Sequence, residues 1–203
     1  MDKSGYLKGW SLSAAMLLAA VAARADAFDF DVLMEALADR PRFAAEFVEE
    51  RSSFFLSRPI TLRGTLHFDA DRRLDKRVTS PYTERIVIDS DAVVIERVNE
   101  EGRAATTQRT RYSLANNPTL AKAVQGVSNV FAGDRTLLED MYTWSLEGDA
   151  ESWELVLEPR GEELAEYIAA ITLRGSGGVI QYIQSLEADG DESKMTLDAA
   201  PEG

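Results

Sequence analysis

Apolar residues recur in two rhythms along this chain, and the rhythm changes more than once. Phe30, Leu33, Met34 and Leu37 fall at i, i+3, i+4 and i+7, which is one face of a helix. Asp29 can cap it, and Pro41 lies just past its end. The period then becomes two. Residues 60–69 are the clearest case, with Leu62, Gly64, Leu66 and Phe68 on one face and Thr61, Arg63, Thr65, His67 and Asp69 on the other. Strands are also predicted at 43–53, 73–79, 84–89, 92–98 and 106–113, separated by Ser80-Pro81, Asp89-Ser90-Asp91 and Glu100-Glu101-Gly102. The helical period returns after Asn117-Pro118, a cap and first-turn pair. Its stripe is Leu120, Ala123, Val124, Val127, Val130 and Phe131, ended by Gly133. Asp134 can cap a second short helix that presents Leu137, Leu138 and Met141. The remainder alternates again, at 142–147, 153–158, 169–174, 179–187 and 193–198, with a short helix at 162–168.

This pattern predicts one mainly β (α+β) domain of ten or eleven short antiparallel strands with a few short helices. There is no repeat, low-complexity tract or linker. Parity places Leu62, Leu66, Phe68, Ile86, Ile88, Trp153, Leu155 and Leu157 on the inward face. Leu33, Leu37, Val124, Leu137 and Leu138 fall on the helices covering it. A filled core and a lined cavity have the same periodicity, so both remain open at this point.

The first 27 residues follow neither rhythm. Lys3 and Lys8 precede an uncharged, mostly apolar run at 11–23, and Ala25-Asp26-Ala27 supplies a small-x-small cleavage pattern. Those are the parts of a secretory signal peptide cleaved after Ala27, or after Ala25 as the nearest variant. Thirteen residues of helix cover about 20 Å, short of the roughly 30 Å hydrocarbon core, which disfavours a membrane anchor. The mature chain, 28–203, would carry a net charge of −14, against −13 for the whole sequence. So acidic a surface repels nucleic-acid backbones and disfavours stable adsorption to anionic membranes. The chain has no cysteine, hence no disulfide, thiolate nucleophile or lipidated N-terminal Cys, and an exported soluble protein is expected.

Candidate chemistry is sparse. His67, the only histidine, sits on the polar face of its strand without an activated serine near it. Asp189-Gly190-Asp191-Glu192 has its glycine between the acids, unlike a calcium loop, and reads as a hairpin turn. The 175–178 glycine run lacks the Lys and helix of a phosphate loop. No catalytic residue, metal or cofactor is expected.

The span 64–97 resembles the LolA family of periplasmic carriers, which escort lipoproteins to the outer membrane. The resemblance rests on Gly64-Thr65-Leu66-His67-Phe68, the polar turn and strand ending at Pro81, Ile86-Val87-Ile88-Asp89, and Val93-Val94-Ile95. It extends weakly over the N-terminal helix, the 118–141 helical insert and the final strands. It implies a half-open β-barrel whose concave apolar face holds acyl chains under a lid of short helices. The thirteen apolar positions named above would line that face. It also implies a non-catalytic periplasmic carrier in a Gram-negative bacterium, monomeric, with an acylated lipoprotein or free lipid as cargo. An inner-membrane exporter and an outer-membrane acceptor would be its partners, and nucleic acid would not. The alternative is a lipid-sensing module like the LolA-like domain of envelope-stress regulators. One feature departs from the pattern. Where the family carries an Arg-Pro pair whose arginine helps latch the lid, this chain has Ala70-Asp71, with Arg72-Arg73 just beyond. The lid would then be held by apolar contacts unless Arg72 or Arg73 reaches across.

Overall fold

The computed structural model describes residues 28–99, 105–116 and 118–199. The expected signal peptide, the turn at 100–102, the Asn117 cap and the Leu120 side chain lie outside the described residues.

The chain opens with α1 (Phe30–Ala38), followed by β1 (Phe43–Ser52), β2 (Ile60–Phe68), β3 (Leu74–Ser80), β4 (Thr83–Ile88), β5 (Ala92–Asn99) and β6 (Thr106–Ser113). Two helices, α2 (Pro118–Phe131) and α3 (Arg135–Met141), come next. The second half is β7 (Tyr142–Gly148), β8 (Trp153–Pro159), α4 (Glu162–Ala165), β9 (Ile168–Ser176), β10 (Val179–Glu187) and β11 (Glu192–Ala199). The periodicity anticipates these elements to within a residue or two, except that α4 is a single turn. The Tyr167 N–H already bonds the Leu164 carbonyl there, and the chain enters β9 at Ile168. Asp29 caps α1 by accepting the Val32 N–H at 3.0 Å, and Asp134 caps α3 through the Leu137 N–H at 3.2 Å.

The eleven strands among the described residues form one antiparallel sheet in the order β6-β5-β4-β3-β2-β1-β11-β10-β9-β8-β7. Every neighbour is a sequential hairpin or meander partner except at one seam, where β1 meets β11 with Phe47 opposite Leu197 and Glu49 opposite Met195. The two edges, β6 and β7, do not pair, so the barrel stays open. The connection between these free edges is the pair α2 and α3.

The core fills much of the inward face. Phe30, Leu33, Met34 and Leu37 of α1 are buried with Leu62, Leu66, Phe68, Leu138, Trp153, Leu155 and Leu157 in one cluster. The Phe131 ring, at the end of α2, stacks on Phe68 at 5.5 Å and tilts against Phe43 at 5.2 Å. Just beyond it, Gly133 adopts φ +61, and a Cβ there would stand 2.2 Å from the Met34 carbonyl oxygen. Glycine is thus what lets the end of α2 seat on α1. On the opposite face of the sheet, Val87, Ala92 and Val94 form a small separate cluster, so β4 and β5 are apolar on both sides.

Candidate functional site

Between the sheet and α2 the core gives way to a cavity of about 740 Å³, within the roughly 300–1,000 Å³ of ligand pockets. Its roof is the Ala123, Val124 and Val127 face of α2, closed at one end by Phe131. Leu66, Leu74 and Ile88 supply one wall from β2, β3 and β4. Ile171, Ile183 and Met195 supply the other from β9, β10 and β11. The mouth lies at the β1–β2 loop and the β10–β11 turn, where Phe55, Leu56, Tyr167, Glu187 and Asp191 meet.

The cavity also has a charged patch set into its wall. Glu49, only 1% exposed, accepts hydrogen bonds from Arg51 Nε at 2.8 Å and Ser193 Oγ at 2.6 Å, and its other oxygen pairs with Lys76 Nζ. Lys76, itself buried, stands 4.9 Å over the Phe47 ring. Burial pushes the Glu49 carboxyl up, but Lys76 and Arg51 outweigh it and hold it below its ordinary value. Burial lowers the Lys76 ammonium, with Glu49 opposing and Arg51 assisting. Two cations sharing one carboxylate explain why the anion is favoured and the deeper cation is not. At the mouth, Glu187 is raised by burial and by repulsion from Asp189 and Asp191; the carboxylates of all three lie within 4.8 Å of one another.

Of the thirteen residues expected to line the site, Leu66, Ile88 and Val124 do so. Leu33, Leu37, Leu62, Phe68, Leu138, Trp153, Leu155 and Leu157 are at most 3% exposed and sit in the packed core, because α1 and α3 fill that stretch of the inward face. Ile86 faces the same side, opposite Lys76 in register, but stays outside the lining. Leu137 is 42% exposed. Adjacent helical residues point about 100° apart, so burying Leu138 turns Leu137 towards water. Sequence reading missed Leu74, Ile171, Ile183 and Met195, together with the charged patch. A signal for the patch exists: Glu49 shares parity with Ala45 and Phe47, and Lys76 with Leu74 and Val78.

Arg72 lies outside the cavity lining but contacts the helix that roofs it. It is the one described non-glycine residue with positive φ, at 60°, a conformation disfavoured for side chains of its size. An Asx turn holds it there: Asp69 Oδ1 accepts the N–H groups of Asp71 and Arg73, and the Asp69 carbonyl accepts that of Arg72. The guanidinium reaches Asn129 Oδ1 on α2 at 3.2 Å and Asp134 Oδ2 at the start of α3 at 2.7 Å. Ala70 therefore does not leave the two helices to apolar contacts alone.

Under α2, Gly126 packs so tightly on Tyr142 that a Cβ would lie 2.4 Å from its hydroxyl oxygen. Burial pushes the Tyr142 phenol up to about 12, and the hydroxyl has no partner among the described residues. Tyr142→Phe removes that unpaired group and is expected to raise the unfolding midpoint, by about 1 kcal/mol of stability in a thermal melt. A lower midpoint means that the hydroxyl is bonded to water.

No helix among the described residues is long and apolar enough to cross a membrane. The chain is similar in fold to the LolA superfamily protein NE2245 from Nitrosomonas europaea, with 11% identity over 87% of this chain and 95% of that one, at a TM-score of 0.43. It is also similar to a chain of the Pseudomonas aeruginosa MucA/MucB complex, with 14% identity and a TM-score of 0.40 over 86% of this chain and 56% of that one. A third neighbour is a putative outer membrane lipoprotein-sorting protein domain from Vibrio parahaemolyticus, with 9% identity over 85% and 93% of the two chains and a TM-score of 0.30. No curated relative matches the sequence. The family described as outer membrane lipoprotein carrier protein LolA-like matches residues 22–202, nearly the whole chain, and the protein belongs to that family.

Proposed function

We propose that the protein is a non-catalytic periplasmic carrier that shields the acyl chains of a lipoprotein or another lipid during transport towards the outer membrane. The observation that carries this reading is the apolar cavity under α2, open at one end of the sheet. Burying a 16-carbon chain gains roughly 13 kcal/mol at about 0.8 kcal/mol per methylene, so a carrier crossing water must supply comparable apolar surface. Leu66, Ile88 and Val124 supply part of it. An inner-membrane exporter would load the cavity and an outer-membrane acceptor would empty it.

Unloading requires the roof to move. The Ala123, Val124 and Val127 face of α2 is only half-buried, and Arg72 ties the end of α2 to the start of α3. Arg72→Ala is expected to weaken that tie by about 1 kcal/mol, the exposed guanidinium limiting its worth. Hydrogen exchange across 120–141 in the empty protein should then quicken about five-fold. Unchanged exchange assigns the roof to apolar contacts alone.

The direct test is native mass spectrometry of protein purified from periplasm, followed by lipid extraction. A bound acylated species in stoichiometric amount supports the carrier; an empty protein that also ignores fluorescent acyl probes refutes it. N-terminal sequencing of the same sample should read Phe28, or Asp26 for the variant cleavage site, and an intact Met1 would refute export by this signal.

A further inference from the structure

We propose that the β1–β2 loop is a bilayer-insertion element that sets the cavity mouth against an anionic phospholipid surface. This deepens the carrier reading and rests on it. Phe54 and Phe55 are 90% and 89% exposed, at the tip of the loop, in a chain whose other phenylalanines among the described residues are buried or half-buried. Isolated exposed apolar residues are ordinary; two adjacent rings at a loop tip, followed by the exposed Leu56, are a patch.

The loop is built to display them. Ser53 Oγ accepts the Phe55 N–H at 3.3 Å, the Ser53 carbonyl accepts the Leu56 N–H at 3.0 Å, and Asp191 Oδ1 accepts the Phe54 N–H at 3.1 Å. The two rings meet edge to face, 5.8 Å apart. Folding thus holds the loop's backbone in hydrogen bonds yet leaves the rings in water, apolar surface that contact with an outside apolar phase would bury.

Two observations select a lipid surface as that phase. First, Phe55 and Leu56 also line the cavity mouth, so rings entering the acyl region would leave the mouth at the depth where acyl chains begin. Second, no Asp or Glu occurs from Arg51 to Phe68, although the whole chain holds 35 acidic residues against 22 basic ones. Within that stretch Arg58 is exposed, four residues beyond Phe54, and forms no ion pair among the described residues. It is placed to meet a lipid phosphate. The carboxylates of Glu187, Asp189 and Asp191 on the adjoining turn oppose the same headgroups. Attachment is therefore shallow and reversible, as a carrier that must leave the membrane requires.

Flotation with vesicles of mixed phosphatidylethanolamine and phosphatidylglycerol tests this. Wild type should float at low salt. Phe54→Ser should partition about ten-fold less, since burying one phenylalanine ring is worth about that factor. Arg58→Glu should weaken flotation at low salt and lose its effect at high salt. Because Phe54 does not line the cavity, Phe54→Ser should bind a soluble fluorescent acyl probe as wild type does, which also reports that it is folded. In Phe54→Trp, fluorescence should be quenched by brominated lipid. Wild type that stays with the pellet, or Phe54→Ser that floats equally, overturns the proposal. So does self-association in sedimentation equilibrium that Phe54→Ser dissolves, which would seat the rings on a second copy of the chain. Flotation without acyl-probe binding would instead refute the carrier reading and leave the insertion loop standing.

Discussion

Glu49→Ala is expected to lower the stability by about 3–5 kcal/mol in a urea titration, more than an average buried methyl-scale truncation. The reason lies in what stays behind. Lys76 is 8% exposed, and its ammonium loses the carboxylate that justifies its place over the Phe47 ring. Arg51, with 37% of its side chain exposed, can turn to water, so Lys76 carries most of the cost. The double variant Glu49→Leu/Lys76→Met removes both charges at similar volume and should return to within about 1 kcal/mol of wild type, or exceed it. A small loss in the single variant means that Lys76 already reaches solvent. The same pair sets an acid limit. The folded Glu49 carboxyl lies below its ordinary value of 4.5, so its contribution is complete above that pH. It is lost only as the pH falls through the lower, folded value.

The second contrast separates cavity from core. Val124→Asp places a carboxylate on the half-buried roof, where water reaches it in the empty protein. An acyl chain entering the cavity would have to strip that water, so affinity for a fluorescent acyl probe should fall at least about a hundred-fold. The melting temperature should move little. Leu138→Gln does the reverse. Leu138 is 0% exposed, and an unpartnered amide there costs about 3 kcal/mol or more, with binding falling only because the protein unfolds. If Val124→Asp unfolds the protein as Leu138→Gln does, with no separable binding defect, α2 closes a filled core and the carrier reading fails.

These two leucine and valine positions also mark how far the sequence could be read. Strand parity along 60–69 put Leu62, Leu66 and Phe68 on one face, and the ladder keeps them there because each is opposite an inward residue of β1. Parity has no term for what occupies the space in front of that face. Leu62, Leu66 and Phe68 all join the core, but only Leu66 also borders the cavity, and the difference is made by where α1 and α3 dock. The helices suffered similarly: Leu137 and Leu138 both belong to the apolar stripe, and only the packing of a seven-residue helix decides which one turns inward. Strand parity turns Glu49 and Lys76 inward, but it does not say that two residues 27 apart in the chain meet as an ion pair there. Arg72 was visible as a candidate, but its reach to α2 and α3 depends on a left-handed backbone that sequence alone does not specify.

The seam between β1 and β11 gives the chain an unusual order of assembly. An edge strand can be lost with little more than a trimmed sheet, whereas β11 lies in the middle and holds the two meanders together. Ser193 and Met195 of β11 also help build the cavity, against Glu49 of β1. A chain in which β11 has not yet paired therefore holds two half-sheets and an incomplete cavity. Pairing across so long a stretch of chain is entropically slow. The cavity is consequently completed only when β1 and β11 have paired, late in folding.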